Sequence, residues 1–213
     1  TMLVEGQIDV ILAHQAGFGN AVALSGTALS EKHLALMKRY SENLMLVLDA
    51  DAAGLVATAR SATLALRQGL RVKAARLPSG KDPAETISEN AKEFAKRIAD
   101  AKPIVDFFLA ELAEKERDSH RLRRAAEQMV LPLIGAISSP MEREHFVQST
   151  ARALGLSEES VRESLKRLPA SPELQRGEPE NSAAARRSPV ETRREHLLAV
   201  VHAYSDTPLA ARV

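Results

Sequence analysis

Short apolar runs alternate with amphipathic segments through the first half of the chain, and this alternation predicts an α/β unit. Strands are expected near residues 2–4, 21–24, 44–48 and 70–77. The segment after the third run repeats apolar residues at the helical positions Leu55, Ala59, Ala62 and Leu66. Because strands that alternate with helices form parallel sheets through right-handed crossovers, we expect a parallel-sheet unit over residues 1–88.

The second half of the chain is patterned differently. From Asn90 onward the apolar spacing is helical only, which predicts an all-α bundle over residues 89–168. Residues 169–189 are rich in Pro, Ser, Glu and Arg and predict a linker. Residues 190–213 begin a further apolar helix face that stops in mid-pattern, so we expect an internal piece of a longer protein that includes the start of another helical domain.

The third apolar run leads directly into Asp49-Ala50-Asp51. A strand that is apolar on both faces belongs in the middle of a covered parallel sheet, where ligands bind at the carboxyl ends of the strands. Side chains two residues apart on an extended segment point the same way, and two carboxylates repel each other unless a proton or a cation lies between them. An N-cap role for Asp51 explains this short motif equally well.

Further acids are expected at the same edge of the sheet. Glu5 follows the first strand, Asp9 lies one helical turn later, and Asp82 follows the fourth strand. If the first and third strands are neighbours, Glu5 meets Asp49 and Asp51. A site with oxygen ligands alone favours Mg²⁺, with Mn²⁺ as a substitute, and hence phosphoryl or nucleotidyl transfer. Chance clustering of acids at loop ends is the alternative.

Composition limits the other classes of function. The 213 residues carry a formal net charge of +1 and contain no Cys, which excludes a disulfide scaffold and a thiolate zinc site within this chain. No apolar run reaches membrane-spanning length and no signal peptide is evident, so a cytoplasmic protein without a membrane partner is expected. Lys81 is a weak candidate for substrate binding, since it lies beside Asp82 and could meet a phosphate, but a solvated turn lysine fits as well.

Two segments, Val4-Glu5-Gly6-x-x-Asp9 and Leu48-Asp49-Ala50-Asp51-Ala52-Ala53-Gly54, resemble the TOPRIM metal site of primases, topoisomerases and some nucleases. Residues 14–18, 26–29, 77–83 and 140–144 are similar to bacterial-type DNA primases in particular. The resemblance covers about residues 2–168, and its strength lies in the order of the motifs. The helices after the linker resemble the start of the helicase-binding domain of that family.

The resemblance implies a DNA primase fragment that uses nucleoside triphosphates to make RNA primers on single-stranded DNA during replication. It also implies that Glu5, Asp49 and Asp51 are catalytic metal ligands supported by Asp9 and Asp82, and that a replicative helicase binds the C-terminal part. Ala50 stands where the family commonly has Gly or Pro. Ala84 stands where the family usually has a further acid, which puts the full set of metal sites in doubt.

In this family a zinc-binding domain and the basic half of the catalytic domain precede the TOPRIM unit, and neither lies within this chain. Zinc is therefore expected only in that N-terminal domain. We expect the fragment to bind metal but not to prime by itself.

Four other functions are compatible with parts of the sequence. Another TOPRIM-type nucleic-acid enzyme, a topoisomerase or a nuclease, shares the metal motif. A haloacid-dehalogenase-type phosphatase would use Asp49 as its nucleophile, but Ala53 stands where that class normally has Thr or Val, and Glu5 would have no role. Residues 151–162 have the spacing of a helix-turn-helix, which a tight helix pair within a bundle also gives. A non-catalytic helicase-binding module would be compatible with the primase interpretation.

Overall fold

A computed structural model describes residues 1–24, 28–48, 52–78 and 80–168. The strands are β1 (Met2–Val4), β2 (Ala21–Ala23), β3 (Asn43–Leu48), β4 (Arg71–Arg76) and β5 (Lys102–Pro103). The helices are α1 (Gln7–Gln15), α2 (Glu31–Lys38), α3 (Ala52–Arg67), α4 (Pro83–Ala99), α5 (Ile104–Lys115), α6 (Ser119–Ala136), α7 (Pro140–Leu154) and α8 (Glu158–Arg167).

The strands form one mixed sheet in the order β2-β1-β3-β4-β5. The first four are parallel to their neighbours, and β5 is antiparallel to β4. Leu3 pairs with Val22 on one side and with Leu46 on the other, so the condition that the first and third strands are neighbours is met. The α/β class is confirmed. Strand β5 lies in the part predicted to be helical only and was missed, because a strand of two residues that ends in Pro103 has no recognisable apolar period.

Helices cover both faces of the sheet. Leu44 and Leu46 of β3 pack in a core with α3 and the later helices, whereas Val47 packs in a second core with α1 and α4. Alternate residues of a strand point to opposite faces, which explains why β3 reads as a continuous apolar run. Burial of each such side chain contributes about 1.5–3 kcal/mol. The site-bearing strand is therefore held from both sides.

Helix α4 consists of two helical segments that meet at Asn90, whose backbone (φ −158°, ψ 91°) is not helical. The Asn90 side-chain oxygen accepts hydrogen bonds from the main-chain N–H groups of Lys92 (3.1 Å) and Glu93 (3.2 Å), which caps the second segment. Phe94 of that segment is fully buried and meets Phe18 edge to face at 5.1 Å. The predicted domain boundary near residue 88 falls close to this break and stays a prediction.

Helices α5 to α8 form the predicted helical part, with Phe108, Val130 and Ile134 fully buried. The side chains of Ser30 and Ser157 cap α2 and α8. The predicted linker (169–189) and the predicted start of a further domain (190–213) lie outside the described residues. Within the described ranges, none of the helices has both the length and the apolar character needed to cross a membrane.

Candidate metal site at the carboxyl edge of the sheet

The ends of β1 and β3 lie side by side at the edge where the acids were predicted. Leu3 pairs with Leu46, so continuing this parallel register by two residues brings Glu5 level with Leu48, the last residue of β3. Glu5 is exposed. Asp49 and Asp51 follow Leu48 in the sequence and lie outside the described residues, so their role as ligands stays a prediction.

Asp9 is buried, with an exposed fraction of 6%. Its Oδ2 accepts a hydrogen bond from the main-chain N–H of Gly6 at 2.8 Å, which caps α1. Its Oδ1 accepts from the main-chain N–H of Ala84, in the first turn of α4, at 3.0 Å. One carboxylate thus joins the N-terminal ends of two helices that are far apart in the sequence.

Asp82 is the N-cap of α4. Its Oδ1 accepts from the main-chain N–H of Glu85 at 2.7 Å, and its side chain is exposed. Pro83 supplies no N–H, so Ala84 and Glu85 carry the first donors of this helix. Asp9 satisfies the first of these donors and Asp82 satisfies the second. The two predicted acids therefore lie at the same helix end.

Lys81 forms an ion pair with Glu89, two turns along the first segment of α4. Its main-chain N–H donates to the carbonyl oxygen of Pro78 at 3.1 Å. The ammonium group therefore already has a carboxylate partner in this turn. Contact with a substrate phosphate would have to compete with Glu89.

The positively charged side chain of Arg76 also lies at the carboxyl edge of the sheet. It was not among the residues predicted from the sequence. It is the last residue of β4 and pairs in register with Leu48. Its guanidinium contacts Glu111 at 3.2 Å and forms a two-pronged ion pair with Glu114. The hydrogen bond from Arg76 lowers the pKa of Glu114 below its usual range, and the same bond raises the pKa of Arg76. The signal in the sequence was the i, i+3 pair of glutamates on helix α5, one of them within its apolar stretch.

Glu111 is the buried member of this cluster, with a side-chain exposed fraction of 4%. Its Oε2 is buried and has no hydrogen-bond partner. A buried carboxylate depends on a paired cation, because desolvation disfavours its charge. Arg76 supplies that cation and thereby joins α5 to the carboxyl end of β4.

The helix-turn-helix alternative is not favoured by the helical bundle. Arg162 of α8, which that alternative would present to a phosphate backbone, is paired instead with Glu144, Glu158 and Glu159. The hydrogen bond to Glu144 is the main reason why the pKa of Arg162 is raised. Val161 packs α8 into the bundle core. An arginine held by three carboxylates is poorly placed to contact DNA phosphates.

The described residues hold no group of three His, Cys, Asp or Glu side chains arranged to bind a metal ion. Two of the three described members of the predicted set, Glu5 and Asp82, are exposed carboxylates beside the carboxyl ends of β1 and β4. Oxygen donors of this kind fit a hard divalent cation. Asp9 fits such a role less well, because both of its oxygens already accept main-chain hydrogen bonds.

Comparison with known proteins gives two family matches and several relatives. A Toprim-like family model matches residues 2–87, and a model described as the DnaB-helicase binding domain of primase matches residues 105–159. The latter range covers α5 to α7 and the first residues of α8, whereas the sequence analysis assigned helicase binding to residues 190–213.

The chain is 31% identical over 163 residues to a DNA primase from Clostridium acetobutylicum, covering 75% of this chain and 27% of that protein. A crystal structure of a DNA primase domain from Pseudomonas aeruginosa matches with a TM-score of 0.63 and 30% identity, covering 78% of this chain and 53% of that one. A DnaG primase catalytic domain bound to single-stranded DNA matches with a TM-score of 0.62 and 28% identity, covering 75% and 52%.

Proposed function

The chain is related to the bacterial-type DNA primases, and from this relationship we propose that it is part of an enzyme that synthesises RNA primers on single-stranded DNA during replication. It spans about a quarter of the curated primase it matches and about half of the similar solved chains. The chemistry would be nucleotidyl transfer from nucleoside triphosphates. A topoisomerase or nuclease is not favoured, since the relatives and neighbours compared are primases.

One structural observation carries the proposal. Strands β1 and β3 are parallel neighbours, and their register brings exposed Glu5 level with the residue that precedes Asp49. This is the arrangement that the Glu and Asp-x-Asp motifs need if they are to share one ion. The primase family implies a divalent metal, and the oxygen-only donor set supports Mg²⁺, with Mn²⁺ as a substitute.

We assign Glu5, Asp49 and Asp51 as the main ligands, with Asp82 in support. A metal bound there would polarise a phosphate oxygen and offset its developing charge. The residues of the chain would orient the ion through their carboxylates, and Lys81 remains a weak candidate for contacting the substrate. Asp9 was also predicted as a ligand, but both of its carboxylate oxygens accept main-chain hydrogen bonds.

The chain alone is expected to bind the metal without priming, since it spans only part of its relatives. An assay with a single-stranded template, nucleoside triphosphates and Mg²⁺ tests this directly. Robust primer synthesis by the purified chain would contradict the expectation. Template-dependent activity that Glu5→Gln abolishes would still support the proposed site.

A replicative helicase is the proposed protein partner, and single-stranded DNA is the proposed template. Helicase binding is assigned to two different segments, 105–159 by the family model and 190–213 by the sequence pattern. Met141→Asp places a charge in the first segment, at a position whose side chain is 86% exposed. Leu198→Asp places a charge in the apolar pattern of the second segment. The substitution that weakens binding of a DnaB-type helicase identifies the binding segment. If both variants bind the helicase as tightly as the wild type, both assignments are contradicted.

The metal site is tested by titrating the chain with Mn²⁺ beside Glu5→Gln and Glu42→Gln. Glu42 is an exposed acid paired with Arg71 next to the start of β3, at the opposite end of the sheet, so its variant makes the same change of charge far from the site. We expect binding that Mg²⁺ competes away and that Glu5→Gln weakens about tenfold or more, the scale of one lost charged ligand. Equal binding by all three proteins would contradict the proposed site.

A further inference from the structure

We propose that Asp9 is a positioning residue that fixes Glu5 and Asp82 relative to each other, and that it is not a ligand of the metal. The inference rests on the proposed function, because it takes those two acids to serve one site. It reassigns a carboxylate that the sequence placed among the ligands.

Both oxygens of Asp9 are already in use. Oδ2 accepts from Gly6 at 2.8 Å and Oδ1 accepts from Ala84 at 3.0 Å, while the residue is only 6% exposed. A carboxylate in this state has little need of a further cation, since two N–H donors at helix N-termini stabilise its charge. A ligand of Mg²⁺ instead has to share an open face with water and phosphate oxygens.

The two donors identify what Asp9 holds together. Gly6 directly follows Glu5 at the end of β1, and Ala84 is the second residue after Asp82 at the start of α4. The carboxylate therefore spans from the residue beside one candidate ligand to the turn that carries the other. Its loss would free the first turn of α4, and with it Asp82, from the end of β1.

The packing around Gly6 leaves little space beside the carboxylate of Asp9. A Cβ atom at Gly6 would lie 3.2 Å from Oδ2 of Asp9 and 3.9 Å from its carboxyl carbon. The first of these distances is closer than an ordinary van der Waals contact. A side chain at position 6 would push the Asp9 carboxylate away from its donors. The glycine at this position therefore leaves space for Asp9 next to the candidate ligand Glu5.

The experiment combines amide hydrogen exchange at Gly6 and Ala84 with Mn²⁺ titration of the wild-type chain, Asp9→Asn, Glu5→Gln and Asn90→Ala. Asparagine keeps the shape of Asp9 but offers one acceptor oxygen in place of two. We expect at least one of the two amides to exchange about tenfold faster in Asp9→Asn, because it loses its acceptor. We also expect Mn²⁺ to bind about fivefold more weakly with unchanged stoichiometry, since the ligands remain but are less well placed.

Asn90→Ala is the matched control, because it removes a cap within α4 without touching the link between Glu5 and Asp82. It should destabilise the chain and leave the Mn²⁺ affinity unchanged, which separates positioning from a general loss of stability. Gly6→Ala gives a second means of displacing the carboxylate and should weaken Mn²⁺ binding in the same direction as Asp9→Asn.

Two results would overturn the inference. Unchanged amide exchange and unchanged Mn²⁺ affinity in Asp9→Asn would show that Asp9 positions nothing. Loss of Mn²⁺ binding as complete as in Glu5→Gln, with both amides still protected, would make Asp9 a ligand. A wild-type chain that binds no Mn²⁺ would contradict the proposed function instead. The positioning role of Asp9 would in that case be judged from amide exchange alone. It would be supported if the amides of Gly6 and Ala84 exchange slowly in the wild type and faster in Asp9→Asn, and contradicted by any other result.

Discussion

The main-chain N–H of Ala84 donates to Oδ1 of Asp9 at 3.0 Å, although the two residues are 75 positions apart. Position 84 is where the resemblance to primases leads one to expect a further acid. The contact uses the main chain, so it does not depend on which side chain stands there. The start of α4 is therefore held in place even though the expected carboxylate is absent.

Replacing Ala84 by Asp restores the acid and should tighten Mn²⁺ binding. The new carboxylate would lie in the first turn of α4, where the helix dipole favours a negative charge by about 0.5 kcal/mol, so the fold should be no less stable. Calorimetric Mn²⁺ titration measures the effect, with the uncharged Ala84→Asn as control. Equal Mn²⁺ affinity in Ala84→Asp and Ala84→Asn would show that position 84 does not contribute to the site.

Replacing Gly6 by Ala should lower the free energy of unfolding by about 1–2 kcal/mol, because the added Cβ crowds the Asp9 carboxylate in a packed position. Gly19→Ala is the control, since a Cβ there meets no atom within 4 Å. Urea unfolding of the two variants gives the comparison. If Gly6→Ala is no less stable than Gly19→Ala, the close packing of Asp9 is not significant.

Arg76→Leu should destabilise the chain by about 2 kcal/mol, because Glu111 would be left buried without a cation. The double variant Arg76→Leu/Glu111→Leu should recover most of that loss. Arg71→Leu, which breaks an exposed pair with Glu42, should cost no more than about 0.5 kcal/mol. Denaturant unfolding of the wild type and the three variants gives their free energies of unfolding. A double variant less stable than Arg76→Leu would contradict the predicted order of stability.

The pair of Arg162 and Glu144 should make stability depend on pH. The hydrogen bond from Arg162 lowers the pKa of Glu144 from its ordinary value of 4.5. The folded pKa is therefore below the unfolded one, so the pair stabilises the fold above pH 4.5 and its contribution disappears as the pH falls through the lowered value. Both side chains are partly exposed, so the effect should be small and sensitive to salt.

Urea midpoints of the wild type and Glu144→Gln at about pH 7 and about pH 3 measure this dependence. The wild type should be the more stable of the two at neutral pH, and the difference should shrink in acid. Glu163→Gln, in a looser pair with Arg167 at 3.7 Å, is the control and should show less of this change. A difference between wild type and Glu144→Gln that is as large in acid as at neutral pH would mean that the ion pair is not its cause.

Strong local patterns in the sequence predicted most of the fold. The apolar run before Asp49 identified β3, whereas the neighbouring position of β1 was only a condition of the argument and is given by the strand pairing. The helical segment after Asn90 was also predicted, but no helix was predicted to begin at Pro83, because Asp82-Pro83 is typical of turns as well as of helix starts. Strand β5 was too short to leave a pattern.

The contacts within the site could not be predicted in the same way. The sequence placed Asp9 near Glu5 correctly, but its second donor comes from Ala84, and only tertiary packing determines that contact. The ion pairs of Arg76 with α5 were missed for the same reason. The positions of Asp49 and Asp51 stay predictions, since those residues lie outside the described part of the chain.

The most direct measurement is an anomalous-diffraction map from crystals of this chain soaked in Mn²⁺. The central claim is that one hard cation binds where β1 and β3 end. It predicts an anomalous peak about 2.1–2.2 Å from carboxylate oxygens of both Glu5 and Asp49, with Asp9 still bonded to Gly6 and Ala84. A saturating soak that leaves this edge of the sheet without a peak, or places the ion elsewhere, would contradict the claim.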